Sequence, residues 1–295
     1  LYIKIIKTIF VTKSLQLSII VQKHTLFNHN PLKIKIMKAL KFTLIVALVA
    51  FAISCKKSDS STSAAVTIDE AADMAASSVS SNTFGFASVA DNVGVNAQGL
   101  SSISGSGQAV NSVRTNATTR QTCGTTIADS VSASGKTNDV TFSYFYKFMR
   151  TLNCNTTSQP DNVTNAITFK GSYDGPRITS VDAGTATVTI GGLTTNATNY
   201  VVNGKYTRKG AFTSKVGGKA SGSSNVEITA TNVLLSKPAR NIVSGTATVT
   251  ISGSSAKGTF SFTGTMVFSG NNTAALNVGT TVYIINLLTG TYVKQ

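Results

Sequence analysis

From about Gln121 to the C-terminus, apolar and polar residues alternate along the chain. Phe260, Phe262, Met266 and Phe268 fall on one side of an extended backbone, and Thr259, Ser261, Thr263 and Thr265 on the other. Period two with one apolar face predicts an antiparallel sheet buried on one side. Val140, Phe142, Tyr144, Tyr146 and Phe148 form an aromatic version of the pattern opposite Thr141, Ser143 and Lys147, with Phe145 and Met149 interrupting the polar side. Asp174-Gly175-Pro176, Gly191-Gly192, Gly217-Gly218, Lys237-Pro238 and Gly270-Asn271-Asn272 punctuate the region as turns. Asn203-Gly204 fits either a tight hairpin turn or a strand bulge. The heptapeptide GTATVTI occurs at 184–190 and again at 245–251. Each copy sets Ala, Val and Ile on one face and three Thr on the other, which predicts two equivalent strands in a duplicated strand-turn-strand unit. Two copies fall short of the three or more that a solenoid requires.

Upstream the period changes. Thr67-Ile68-Asp69-Glu70 is a capping box, in which Thr67 caps the helix start and Glu70 reaches back to it. Ile68, Ala71, Ala72, Ala75, Ala76 and Val79 follow at helical spacing, with Asp69, Glu70 and Asp73 where the helix dipole favours acids. The spacing predicts one short helix over about 68–80. Its apolar face is mostly Ala, so it needs a flat surface to dock on. From Ser81 to Thr119 no period holds, and the segment reads as a loop.

Met37 to Ser58 reads MKALKFTLIVALVAFAISCKKS: a charged start, an apolar run from Phe42 to Ile53, and small residues at a cut site. This is the layout of a secretory signal peptide, and the 14 residues between Lys41 and Lys56 are too few to span a bilayer comfortably. Ala52-Ile53-Ser54-Cys55 resembles the lipobox of bacterial lipoproteins. The resemblance implies that Cys55 is diacylated, becomes the mature N-terminus and is acylated again. Position 56 is Lys and not the Asp that retains such proteins in the inner membrane, which implies the outer membrane. Residues 1–36 read as an upstream extension, since Lys4, Lys7, Lys13 and Lys23 break every apolar run. The expected order is extension 1–36, signal peptide 37–54, polar tether 55–66, helix and Ser/Gly/Asn-rich loop 67–120, and β domain 121–295.

Processing at Cys55 changes the composition. Of 295 residues 241 remain, and the formal charge of +15 shrinks because residues 1–54 hold 8 Lys and no acid. The remaining surplus is uneven, with 14 basic against 5 acidic residues in 136–295. His24 and His29 both precede Cys55. Without His, the mature chain supports neither a Ser-His-Asp nor a Cys-His arrangement, and an enzyme is not expected. Cys123 and Cys154 make an even pair in an oxidising setting, which predicts a disulfide; a metal site would need further His or Cys ligands. Closing a loop of about 30 residues contributes roughly 3–4 kcal/mol in the chain-entropy model.

Few residues point to chemistry. Ser254-Ser255-Ala256-Lys257 fits a Ser-x-x-Lys pattern but lies in an expected turn and has no Lys-Thr-Gly partner. Asp69, Glu70 and Asp73 read as acid/base groups or oxygen ligands, or simply as helix-start acids. The Thr ladders of the GTATVTI strands suit ice or glycan binding, and equally suit the wet face of any sheet. The aromatic stripe fits a ligand groove or a core. Lys205, Arg208, Lys209, Lys215 and Lys219 cluster around one expected hairpin, as a solvated edge or as a patch for acidic glycan or lipid head groups. An exported location argues against nucleic acid as a partner, and no cofactor or metal is expected.

The signal with Ser-Cys, the Ser/Thr tether, the short DEAADMAASS helix and the Gly/Thr/Asn-rich strands with two cysteines resemble the uncharacterised cell-envelope lipoproteins of Bacteroidota. The resemblance implies a location and no activity. The expected fold is mainly β: an antiparallel meander of about eight to eleven strands, as a sandwich or open half-barrel, with one short N-terminal helix. The expected function is that of a lipid-anchored envelope protein, non-catalytic, acting through a Thr-rich, basic sheet. The alternative is a periplasmic carrier of a lipid or other apolar ligand in a half-barrel cavity.

Overall fold

The computed structural model describes residues 65–101, 122–136 and 139–295. The extension, the signal-like segment, Cys55 and most of the expected tether lie outside the described residues. The alternating region forms β1 (Thr126–Lys136), β2 (Thr141–Cys154), β3 (Pro160–Asp174), β4 (Ile178–Gly191), β5 (Asn199–Ser214) and β6 (Ser221–Ser236). It continues as β7 (Ile242–Ser255), β8 (Gly258–Gly270), β9 (Thr273–Val278), β10 (Thr281–Asn286) and β11 (Tyr292–Lys294). Each strand pairs antiparallel with its neighbours in sequence, giving one open sheet in the order β1 to β11. All eleven strands share that sheet, so the sandwich alternative does not hold.

Two helices precede it, α1 (Ile68–Val79) and α2 (Phe86–Ser101). Nine strand spacings separate β2 from β11, about 43 Å on a flat sheet. Yet the helical segment reaches both. Tyr146 of β2 donates to the Phe84 carbonyl, and Lys294 of β11 donates to Asp69 at 2.8 Å. Asp69 and Phe84 lie near opposite ends of the 12-residue α1, a helix about 18 Å long and 10–12 Å across, well short of that span, so the sheet curls around the helix pair. Its concave face carries the core, including Tyr146, Val188, Tyr206, Ile228, Val249 and Tyr283.

The expected capping box is present: Thr67 Oγ1 accepts from the Glu70 N–H at 3.2 Å, and Glu70 Oε2 accepts from the Thr67 N–H at 2.9 Å. Instead of resting on a flat surface, α1 is enclosed, and every residue from Glu70 to Val79 is buried. Its alanines allow that, because they let the sheet and α2 approach from several sides. Val66 is also buried and Ala65 packs against the core, so these two residues of the expected tether belong to the folded unit.

The second helix corrects the expectation of a loop after Ser81. Phe86, Val89, Ala90, Val93 and Ala97 are buried at helical spacing. Gly94, Gly99 and several Val and Asn residues give this stretch poor intrinsic propensity, and burial against the sheet outweighs it. Gly94 has a packing reason: a Cβ there would lie 3.0 Å from Arg240 Cδ. Asn203-Gly204 is no hairpin turn but lies inside β5 opposite a bulge of β6, where Thr231 and Asn232 together face Asn203 between the Val202–Val233 and Gly204–Ala230 pairs. Gly204 has φ +146, and a Cβ would meet the Thr187 carbonyl oxygen at 2.2 Å. The GTATVTI copies are inner segments of β4 and β7. Ala186, Val188 and Ile190 are buried, as are Ala247, Val249 and Ile251.

Candidate functional site

The concave side holds a buried ionic network. Arg208 of β5 donates through Nε to Asp182 Oδ2 of β4 at 2.8 Å and through Nη1 to the Ser77 carbonyl of α1 at 2.6 Å. Its Nη2 also lies 2.8 Å from Asp182 Oδ2, without the alignment of a hydrogen bond. Ser180 and Tyr144 donate to the same carboxylate at 2.7 and 3.2 Å. Burial pushes the Asp182 carboxyl up to about 7, and burial also pulls the Arg208 guanidinium down. The enclosed void beside this pair measures about 10 Å³, with room for no more than a water. The network fastens α1 to the sheet.

The acids at the start of α1 do not converge on a common site. Asp69 accepts from Lys294 of β11 and Tyr283 of β10, and those bonds, led by Lys294, hold its carboxyl below the usual range. Glu70 accepts from the Ala220 N–H at 2.9 Å, and Asp73 from Arg177 Nε at 2.6 Å. Each carboxylate ties the helix to a different part of the sheet. Among the described residues, no group of three or more His, Cys, Asp or Glu could hold a metal ion, and no helix is long and apolar enough to cross a membrane.

Cys123 and Cys154 form the expected disulfide, joining the lead-in to β1 with the end of β2. The aromatic stripe is core: Tyr144, Tyr146 and Phe148 are buried on the concave side. Ser254 and Ser255 end β7, with Ala256 and Lys257 in the turn to β8, and Ser255 donates to the Ala65 carbonyl at 2.8 Å, a structural bond.

The expected basic patch is split three ways. Arg208 points inward, as its neighbours Tyr206 and Phe212 do. Lys215 and Lys219 belong to the β5–β6 turn, where Lys215 pairs with Asp174 at 2.5 Å. Lys205 and Lys209 stand on the convex face. The alternation of β5 separates Arg208 from Lys209, since adjacent residues point to opposite faces.

That convex face is where charge gathers. Across β2 to β6, exposed Lys147, Lys170, Lys205 and Lys209 stand with two exposed-side carboxylates, Glu227, which pairs with Lys205 at 2.7 Å, and Asp174 at the end of β3, which pairs with Lys215 at 2.5 Å. Lys170, Ala183 and Lys209 are in lateral register, so the two lysines stand about 10 Å apart. Lys147 is diagonal to Lys170, and its Nζ lies 6.0 Å from the Phe145 ring centroid. Three shallow depressions of about 550, 630 and 400 Å³ cross this surface. The first two share Phe145 and the second and third share Thr185, so they form one track from β1 to β6. The Thr ladders join here as well: Thr187, Lys205, Thr229, Thr248 and Thr265 occupy one lateral row.

Sequence reasoning did not find the Asp182–Arg208 pair or this track. Parity held the first signal, since Asp182 shares the inward side of its strand with Ala186 and Val188. The interruptions at Phe145 and Met149 were the signal for the second. No protein-family model, curated protein or solved structure matches the chain.

Proposed function

We propose that this chain is a lipid-anchored outer-membrane protein of the cell envelope, non-catalytic, that binds or supports envelope material through the convex face of its sheet. The single observation that carries the anchoring is the apolar run Phe42 to Ile53 followed by Ser54-Cys55. Cys55 precedes Ala65, the first described residue, by ten positions. Three acyl chains exceed the two signals that stable anchoring requires.

The binding role is supported by the contrast between the two faces, one filled by helices and the other open, basic and rich in hydroxyls. Its candidate partners are acidic glycans and lipid head groups. The alternative, a periplasmic carrier with an apolar ligand in a half-barrel cavity, requires α1 and α2 to leave the concave side that they occupy. The deciding experiment is membrane fractionation of wild type and Cys55→Ala, with inner and outer membranes separated by density. The variant is expected in the soluble fraction. A variant that stays with the membranes as wild type does would place the anchor elsewhere.

A further inference from the structure

We infer that the track across β1 to β6 is a binding site for an acidic polysaccharide chain, with one sugar ring on Phe145 and carboxylate or phosphate groups on Lys147, Lys170 and Lys209. This deepens the proposed binding role and rests on it. Phe145 points to the convex side, where outward positions are otherwise mostly Ser, Thr and Lys. Within the lining, Met149 is 55 % and Val181 63 % exposed. A half-buried ring with a cation beside it offers a flat apolar surface to the C–H face of a sugar and a counter-charge to its acidic substituent.

Lys147, Lys170 and Lys209 make no salt bridge among the described residues, whereas Lys205, Lys215 and Lys294 each have one. The three unpaired ammonium groups are therefore available to an anion. Between them the lining is hydroxyl-rich: Ser130, Thr168, Thr185 and Thr207 on one stretch, Ser143 and Ser172 on the other. Hydroxyls donate and accept, which suits a hydroxyl-rich ligand. Shape favours a chain over a compact molecule. Five strand spacings give the track a length of about 24 Å, enough for several linked rings, and its shallowness leaves no slot for an acyl tail.

The test uses the full chain in detergent, with polygalacturonate as the acidic probe, dextran as the neutral one and phosphatidylglycerol vesicles for the lipid alternative. Removing two exposed charges in Lys147→Gln/Lys170→Gln should weaken polygalacturonate binding by about three- to tenfold at low salt. The charge-matched Lys215→Gln/Lys219→Gln should change it less than about twofold, since Lys215 is already paired. Phe145→Ala should weaken binding at both low and high salt, because ring contact is not screened, while Phe145→Tyr keeps it. Circular dichroism confirms that each variant is folded. Equal losses in the two lysine pairs, or no effect of Phe145→Ala, would overturn the site and leave a diffuse electrostatic role standing. Wild type that ignores polygalacturonate, or that binds only the vesicles, would overturn it too. A soluble Cys55→Ala protein that keeps the full pattern separates this result from the anchoring test.

Discussion

Arg208 and Asp182 meet at 2.8 Å in the core, and the same guanidinium donates to the Ser77 carbonyl of α1. One side chain thus joins two neighbouring strands to the enclosed helix. Breaking a buried ion pair by removing one partner leaves the other charge uncompensated and costs about 3–5 kcal/mol. Arg208→Met is expected to lose about that much in urea unfolding at about pH 8, where Asp182 is ionised. A loss below about 1 kcal/mol would show that the pair contributes no more than an exposed one.

The pH dependence of stability follows from two opposed sets of carboxyls. Asp182 titrates near 7 in the folded chain and near 3.9 when unfolded. Between those values the folded chain holds a proton that the unfolded chain lacks, so unfolding free energy falls as pH rises from about 4 to about 7. Asp73, raised by burial, adds to the same slope. Asp69, lowered chiefly by Lys294, runs the other way; its contribution is present above about pH 4 and lost as pH falls through its lowered value. Stability should therefore peak at about pH 4–5. Urea midpoints across pH should show this, and Asp182→Asn should flatten the limb between pH 4 and 7 while keeping the acid limb. An unchanged limb would assign the slope to other groups.

The disulfide spans 31 positions. Closing such a loop removes unfolded-state entropy worth about 3–4 kcal/mol. Cys123→Ala/Cys154→Ala should lower stability by up to that amount. Non-reduced mass spectrometry of the freshly isolated protein should show the intact bond, and two free thiols would contradict it.

The repeated strands give a matched pair of tests. Val188 and Val249 are fully buried, while Thr187 and Thr248 are exposed. Val188→Ala and Val249→Ala should each cost about 1–3 kcal/mol, and Thr187→Ala or Thr248→Ala about 0.5 kcal/mol or less. Similar losses on both faces would mean that the convex face is covered as well.

The sequence by itself determined what is local. Period-two alternation marked the strands and their buried sides, Gly, Asn and Pro clusters marked most turns, and Thr67 with Glu70 marked the start of α1. An even pair of cysteines, read together with the signal-like segment, was enough to anticipate their bond. Tertiary structure decided what depends on distant pairing. Nothing in the weak helical signal of 86–101 says that a curled sheet will bury Phe86 and Val93, yet that burial is what makes the segment a helix. The same limit shows in the two GTATVTI copies. Gly184 leaves room for the Phe169 ring, 2.2 Å from where its Cβ would be, whereas Gly245 takes φ +130 beside the Val233 backbone. One letter in one repeated motif thus answers two different constraints, because each is set by the neighbouring strand. The convex track arises in the same way. Lys147 lies two positions from Phe145, but only the register of β2 to β5 brings Lys170 opposite Phe145 and sets Lys209 in the same lateral row.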